Sequence, residues 1–263
     1  MIRALYTSAT GMNAQTMNLD NTANNLANVN TTGYKKSEVS FQDLLYYNQQ
    51  IPGGIAAQGL QIPTGVQVGS GTRISGITKI FTSGTLINTQ NPLDIAIEGD
   101  GFFQILLPNG EIRYTRDGSF RVNAQGNLVT SDGFLVSPQI TIPPQAVSIT
   151  IGSDGTVSVQ NAGALNTTTV VGQLTLVRFQ NPAGLSAEGR NLFAETAASG
   201  APIISVPGQN GAGFTRQGFL ERSNVDVVSE LINLITSQRA YELNTRAIRI
   251  ADNMLAATTE LIR

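Results

Sequence analysis

The 263-residue chain contains no histidine, no cysteine and no tryptophan. Without histidine or cysteine there is no Ser–His or Cys–His nucleophile pair, no thiolate, and no zinc centre with the usual nitrogen and sulfur ligands. No disulfide can form, so cysteine usage leaves the redox compartment open. Charge is scarce as well: 16 Lys+Arg stand against 18 Asp+Glu, 13% of residues, where an ordinary soluble domain carries about 25%. So even a balance gives no concentrated positive field and argues against nucleic acid as a partner. No run approaches the roughly 18 apolar residues that cross a bilayer, so membrane insertion is not expected. At the start of the chain Thr7, Ser8 and Thr10 interrupt the apolar residues around Arg3, and a cleaved signal is not expected either. In place of charge, Asn, Gln, Ser and Thr make up about a third of the chain. Its surface is therefore mostly neutral-polar, weakly repulsive and easily dehydrated.

The breaker residues are unevenly spread. All ten prolines lie between Pro52 and Pro207, and every glycine except Gly11 and Gly33 lies between Gly53 and Gly218. The two ends thus follow different rules from the middle. At the C-terminal end Val227, Leu234, Tyr241, Ile248, Leu255 and Ile262 recur every seven residues, the period of a stripe that coils around partners. Three residues further on, Ser237, Asn244, Ala251 and Thr258 are small or polar. Asn224 or Asp226 can cap this helix, and Glu242 with Arg246 has favourable i,i+4 spacing. From residue 225 to the end it would run about 58 Å. Leu5, Met12, Leu19 and Leu26 repeat the period at the N-terminal end. That segment is a poor helix by itself: its seven asparagines and Gly11 cost roughly 5–6 kcal/mol relative to alanine. It is expected to be helical only where its stripe and its Asn amides find partners. Packing of both ends as ordinary surface helices is the alternative reading of the same periodicity.

Between the ends, short β-branched runs are separated by turn dipeptides, among them Asn109-Gly110, Asp117-Gly118, Asp132-Gly133 and Asp154-Gly155. Hairpins are predicted for 102–107 with 111–115, for 119–122 with 127–130, and for 148–151 with 156–159, with a further strand over 170–179. No helix of any length is predicted between about residues 70 and 215. The fold class is therefore mixed α and β: N- and C-terminal helices form a coiled-coil-like terminal domain, with an inserted all-β domain and an extended arm. The arm is the uncharged segment from Tyr46 to Pro63, which includes Pro52, Gly53 and Gly54. The terminal domain is placed at 1–35 with 222–263, an intermediate and arm segment at 36–70 with 206–221, and the β domain at 71–205.

Few residues offer chemistry. Gly69-Ser70-Gly71 and Gly208 to Gly213 lack both the following helix and the lysine of a phosphate loop. The Asp-Gly pairs lack calcium-loop spacing and read as hairpin turns. Asp94, Glu98 and Asp100 could supply a carboxylate pair, but nothing in the sequence marks a pocket around them. No catalytic residue, metal or cofactor is assigned, and the chain is not expected to be an enzyme.

One segment is specific. Ala23-Asn24-Asn25-Leu26-Ala27-Asn28-Val29-Asn30-Thr31-Thr32-Gly33-Tyr34-Lys35 resembles the signature of the bacterial flagellar axial proteins, the rod and hook family. Phe41 to Leu45, Asp94 to Phe103, Tyr114 to Phe120 and Gln238 to Glu242 extend the resemblance over essentially the whole chain. Length, and the arm following Asp43-Leu44-Leu45, resemble the distal rod members. The resemblance implies a structural subunit whose terminal helices pair into an inner tube around an export channel; the seven-residue stripes add seams that resist sliding, with Leu5, Met12, Leu19 and Leu26 set against Leu234, Tyr241, Ile248 and Leu255. Copies would stack helically into a hollow drive shaft that carries torque to the hook, with the 46–63 arm keeping it straight and stiff. The implied partners are further copies of the chain, proximal rod proteins, the hook protein, the P- and L-ring proteins and the type III export apparatus. The implied location is the basal body, periplasmic after export. A hook-type member of the same family, or a β-rich module binding cell-wall carbohydrate, are the alternative readings.

Overall fold

In the computed structural model the described residues are 2–50, 55–57, 60–61, 64–161 and 168–260. They form two long helices, α1 (Ile2–Ala27) and α2 (Val227–Glu260), and many short strands. The fold is mixed α and β. Between residues 70 and 215 the described residues contain no helix beyond one 3-10 turn, Pro182–Gly184. The chain divides into two compact units. One comprises Met1–Ala27, Ser37–Thr78 and Asp226–Arg263, and the other Asn28–Lys36 and Lys79–Val225.

In the first unit α1 has 26 residues and α2 has 34, about 39 and 51 Å at 1.5 Å per residue. Of the two candidate caps for α2, Asp226 is the one used. Its Oδ1 accepts the Val228 N–H at 3.3 Å and its Oδ2 the Ser229 hydroxyl at 2.6 Å, meeting donors that a helix start otherwise leaves unpaired. Glu242 and Arg246 form no ion pair among the described residues; on an exposed helix face such a pair gains only about 0.2–0.5 kcal/mol. Beyond Tyr46 the described residues of the arm form strands. Strands pair in nested order, Ser37–Asp43 with Thr72–Lys79, Tyr47–Gln50 with Val66–Val68, and Ile55–Ala57 with Leu60–Gln61. Two-stranded pairings of this kind have little stability of their own in water.

In the second unit the three predicted hairpins form. Phe102–Leu106 pairs antiparallel with Ile112–Thr115, Arg121–Val122 with Leu128–Val129, and Ala146–Ile151 with Thr156–Asn161. The single strand predicted over 170–179 is two strands. Thr168–Gln173 completes a three-stranded sheet, and Leu176–Arg178 joins a nine-stranded one. The break falls at buried Leu174, whose N–H turns to the Gly155 carbonyl. Neighbouring residues in three strands of the large sheet feed different cores. Phe103, Leu176 and Leu192 enter one apolar cluster with Ile95, Ile97 and Phe120, whereas Phe102, Val177 and Phe193 enter a second with Tyr114 and Phe179. Strand side chains alternate between faces, so this sheet is covered on both. That explains why its strands carry consecutive apolar residues rather than an alternating pattern.

Candidate functional site

Two constructions stand out, one in each unit. In the helical unit α1 and α2 pack through a line of small and polar residues. Asn18 Nδ2 donates to Ser237 Oγ at 2.7 Å, and seven residues on Asn25 Nδ2 lies 3.4 Å from Glu230 Oε2. Seven residues before Asn18, Gly11 faces Asn244, whose Nδ2 lies 3.1 Å from where a Cβ on Gly11 would sit. Thr22, Asn25, Ser237 and Glu230 are buried, with Ala14 and Ala251. The Asn amides thus find partners, and they find them within the chain. Asn25 is also fixed to the strand that follows: Oδ1 accepts the Ser37 N–H at 2.9 Å and Nδ2 donates to the Ser37 carbonyl at 2.8 Å, a carbonyl that Asn21 Nδ2 shares at 2.7 Å.

The large apolar residues lie beside this line. Leu5, Met12, Leu19 and Leu26 are half-buried, each one residue beyond the Gly11, Asn18, Asn25 row and so turned by about 100° from it. Leu234, Ile248 and Leu255 are half-buried on the other helix, and Tyr241 is exposed. Met12 meets α2 at the Thr245 hydroxyl, 3.4 Å from its sulfur. A second apolar row on α2 is not evident from the seven-residue stripe. Val228, Ile232, Ile235, Leu243 and Ile250 are exposed, Val228 by 65% and Leu243 by 62%. At 100° per residue these five fall within an arc of about 80°, interrupted by exposed Arg239 and Arg246, on the side of α2 opposite Glu230, Ser237, Asn244 and Ala251. Tyr6 and Met17 are exposed on α1. The arm adds Leu45, Tyr46, Tyr47, Val66 and Val68, all exposed, with the Arg3 guanidinium 4.2 Å from the Tyr47 ring centroid. Pro52, Gly53, Gly54 and Pro63 lie outside the described residues.

In the β unit the second half of the signature, Asn28 to Lys35, is clamped between two other segments. Asn28 turns the chain, its carbonyl accepting the Thr31 N–H and its Oδ1 the Thr31 hydroxyl. Gly33 has φ +66 and donates its N–H to the Glu221 carbonyl at 2.8 Å; a Cβ there would lie 2.7 Å from the Asp117 nitrogen. Only glycine suits that conformation at so close an approach. Thr32 Oγ1 donates to Asp117 Oδ1 at 3.0 Å, and the Lys36 N–H to Asn224 Oδ1 at 2.8 Å. Beneath the turn, Lys35 Nζ lies 2.7 Å from Glu221 Oε1 with both side chains fully buried, and Arg116 Nη1 lies 3.5 Å from Glu221 Oε2. Burial and the neighbouring Arg116 hold the Lys35 ammonium below its ordinary pKa, with Glu221 opposing, and burial lowers Arg116. Of the signature residues, Asn24 and Ala27 are on the exposed side of α1. The buried role of Lys35, Arg116 and Glu221 is not visible in sequence, because charged residues are expected outside.

The three carboxylates considered for catalysis have different surroundings. Asp94 Oδ1 accepts from Asn91 Nδ2, Glu98 pairs with Arg216 at 3.6 Å, and Asp100 is exposed. Among the described residues no group of His, Cys, Asp or Glu could hold a metal, and no helix is long and apolar enough to cross a membrane.

Known proteins match over the same regions. Residues 5–35 match the family described as flagella basal body rod protein, 96–159 the flagellar hook protein FlgE/F/G D1 domain, and 216–261 the flagellar basal body rod FlgEFG protein C-terminal family. Proteins named flagellar basal-body rod protein FlgG are similar throughout. That of Borreliella burgdorferi is 49% identical over 265 residues, covering 100% of both chains. That of Caulobacter vibrioides is 49% identical over 261 residues and 99% of both chains, and that of Bacillus subtilis 40% over 270 residues and 100% of both.

Proposed function

The chain belongs to the family of flagellar basal-body rod proteins FlgG, and from that premise we propose that it is a structural subunit of the distal rod. Copies stack helically into a hollow, rigid shaft that passes torque to the hook and conducts exported subunits. The observation that carries this reading is the apolar row Val228, Ile232, Ile235, Leu243 and Ile250. Exposed apolar side chains grouped on one side of a helix mark a surface that a partner covers, and α1 takes only the opposite side, that of Ser237 and Asn244.

In the proposed arrangement residues 1–35 with 222–263 build the inner tube as a coiled-coil-like domain, and 36–70 with 206–221 form the intermediate segment. Residues 71–205 form an inserted outer β domain. Half-buried Leu5, Met12, Leu19 and Leu26, with Leu234, Tyr241, Ile248 and Leu255, flank the seams between copies. The 46–63 arm, whose exposed Tyr46 and Tyr47 need cover, packs between copies and stiffens the shaft. The partners are proximal rod proteins, the hook protein, the ring proteins and the export apparatus. The location is the basal body, periplasmic after export. The role is mechanical, with no enzymatic step. Few fixed charges on the outer surface suit a shaft that turns inside rings.

Substituting Ile232→Asp with Leu243→Asp tests this. Both sites are exposed, so monomer stability is expected to stay within about 0.5 kcal/mol, while polymers disappear from sedimentation and electron micrographs. Normal rods from this variant contradict the reading. Deleting residues 46–63 is expected to give curved or flexible polymers, and straight rods after the deletion refute the arm's role.

A further inference from the structure

In the β unit Arg116 lines a cavity of about 70 Å³ together with Arg178, Asp100 and the rings of Phe81, Phe102 and Phe179. Its guanidinium is buried and only partly satisfied. Nη2 donates to the Gly99 carbonyl at 2.7 Å, but among the described residues Nε and Nη1 have no hydrogen-bond partner, Nη1 lying 3.5 Å from Glu221 Oε2. A guanidinium cannot shed its charge to escape this. Glu221 answers Arg116 only through Oε2 at that ion-pair distance, because its Oε1 takes both Lys35 Nζ at 2.7 Å and the Gly84 N–H at 2.9 Å. Arg178 Nη1 donates to the Asn210 carbonyl at 2.6 Å and makes no ion pair among the described residues. Around the cavity Lys35, Arg116 and Arg178 therefore outnumber Glu221 and Asp100 by one charge. The three rings lower the local dielectric, which strengthens any charge pairing there.

We propose that the cavity between Arg116 and Arg178 is a site for one carboxylate-sized monovalent anion. Its volume admits such a group, and the planar fork of arginine suits carboxylate oxygens. The carboxylate has two possible sources, a small free anion or an Asp or Glu side chain of a neighbouring copy; the second rests on the polymer reading above. Asp100, a like charge in the wall, limits the affinity.

The probe is isotope-labelled formate, followed by nuclear magnetic resonance line broadening on the full-length monomer. Saturable broadening is expected. Arg178→Gln should weaken binding about tenfold or more, Arg178→Lys should restore part of it, and Asp100→Asn should tighten it. Broadening that does not saturate, or that is unchanged in both Arg178→Gln and Asp100→Asn, means that water alone fills the cavity and overturns the proposal. The Asp100→Asn result decides even where Arg178→Gln fails to fold. In assembled polymer, retained formate binding identifies a free anion as the occupant, and formate expelled on assembly identifies a neighbour's carboxylate. Failure to polymerise at all would count against the rod reading and leave the monomer result standing.

Discussion

In the β unit Lys35, Arg116 and Glu221 lie beneath the signature turn with their charges out of water, whereas in the helical unit Val228, Ile232 and Leu243 stand in solvent. Each unit thus reverses the usual placement in its own way. A buried ion pair contributes little net stability, because desolvation offsets the attraction, but losing one partner is severe. A cluster of this kind enforces one docking of three distant segments: the turn at 28–36, Arg116–Asp117, and Glu221 to Asn224. Exposed hydrocarbon enforces nothing within the chain and is available to other copies. The comparison separates what makes the subunit from what the proposed shaft uses to join subunits.

The largest expected effect breaks the buried side of this comparison. Glu221→Gln leaves two buried cations facing each other and should cost about 3–5 kcal/mol, measured by denaturant unfolding of the full chain. Replacing Lys35 and Glu221 together with Met should cost less than Glu221→Gln; a double variant that is worse would mean the cluster stabilises through its ion pair after all. Gly33→Ala comes next. It adds left-handed strain of roughly 1–3 kcal/mol to a contact with the Asp117 backbone that cannot yield, and loss of the hydrogen bond from the position-33 amide to the Glu221 carbonyl should show as faster exchange of that amide.

How much of this was readable in the sequence follows the same division. The hairpins announced themselves through turn dipeptides, because local backbone preference and tertiary context agree there. The helices announced themselves through a seven-residue period. Which side of each helix turns inward did not, since Ser237 and Asn18 look like surface residues until each is seen to satisfy the other. The strand expected over 170–179 divides because Leu174 is needed in the core at the point where the chain changes sheets, a tertiary demand without local signature. Lys35, Arg116 and Glu221 are separated by up to 186 residues, and nothing local marks them as partners.

Smaller effects sharpen the helical side. Asn18→Ala removes the bond to Ser237 and should cost about 1 kcal/mol, with faster exchange along α1; an unchanged protein would mean the polar line does not set the helix register. The smallest effect lies at high pH. Burial, and secondarily Glu195, raise the Tyr114 phenol to about 12 from 10.0. The unfolded chain therefore releases this proton first. Tyr114 leaves stability untouched below about pH 10 and lowers it as pH rises from there toward about 12. Tyr114→Phe should abolish that part of the alkaline loss and the last phase of the ultraviolet titration.

The most direct measurement exploits the missing cysteine. Leu243→Cys gives the chain one thiol, on the side of α2 that is exposed among the described residues, and its rate of alkylation can be compared in monomer and in assembled rod. The account predicts rapid labelling of the monomer and strong protection in the polymer. Equal rates in both, in rods shown by microscopy to be intact, would contradict it.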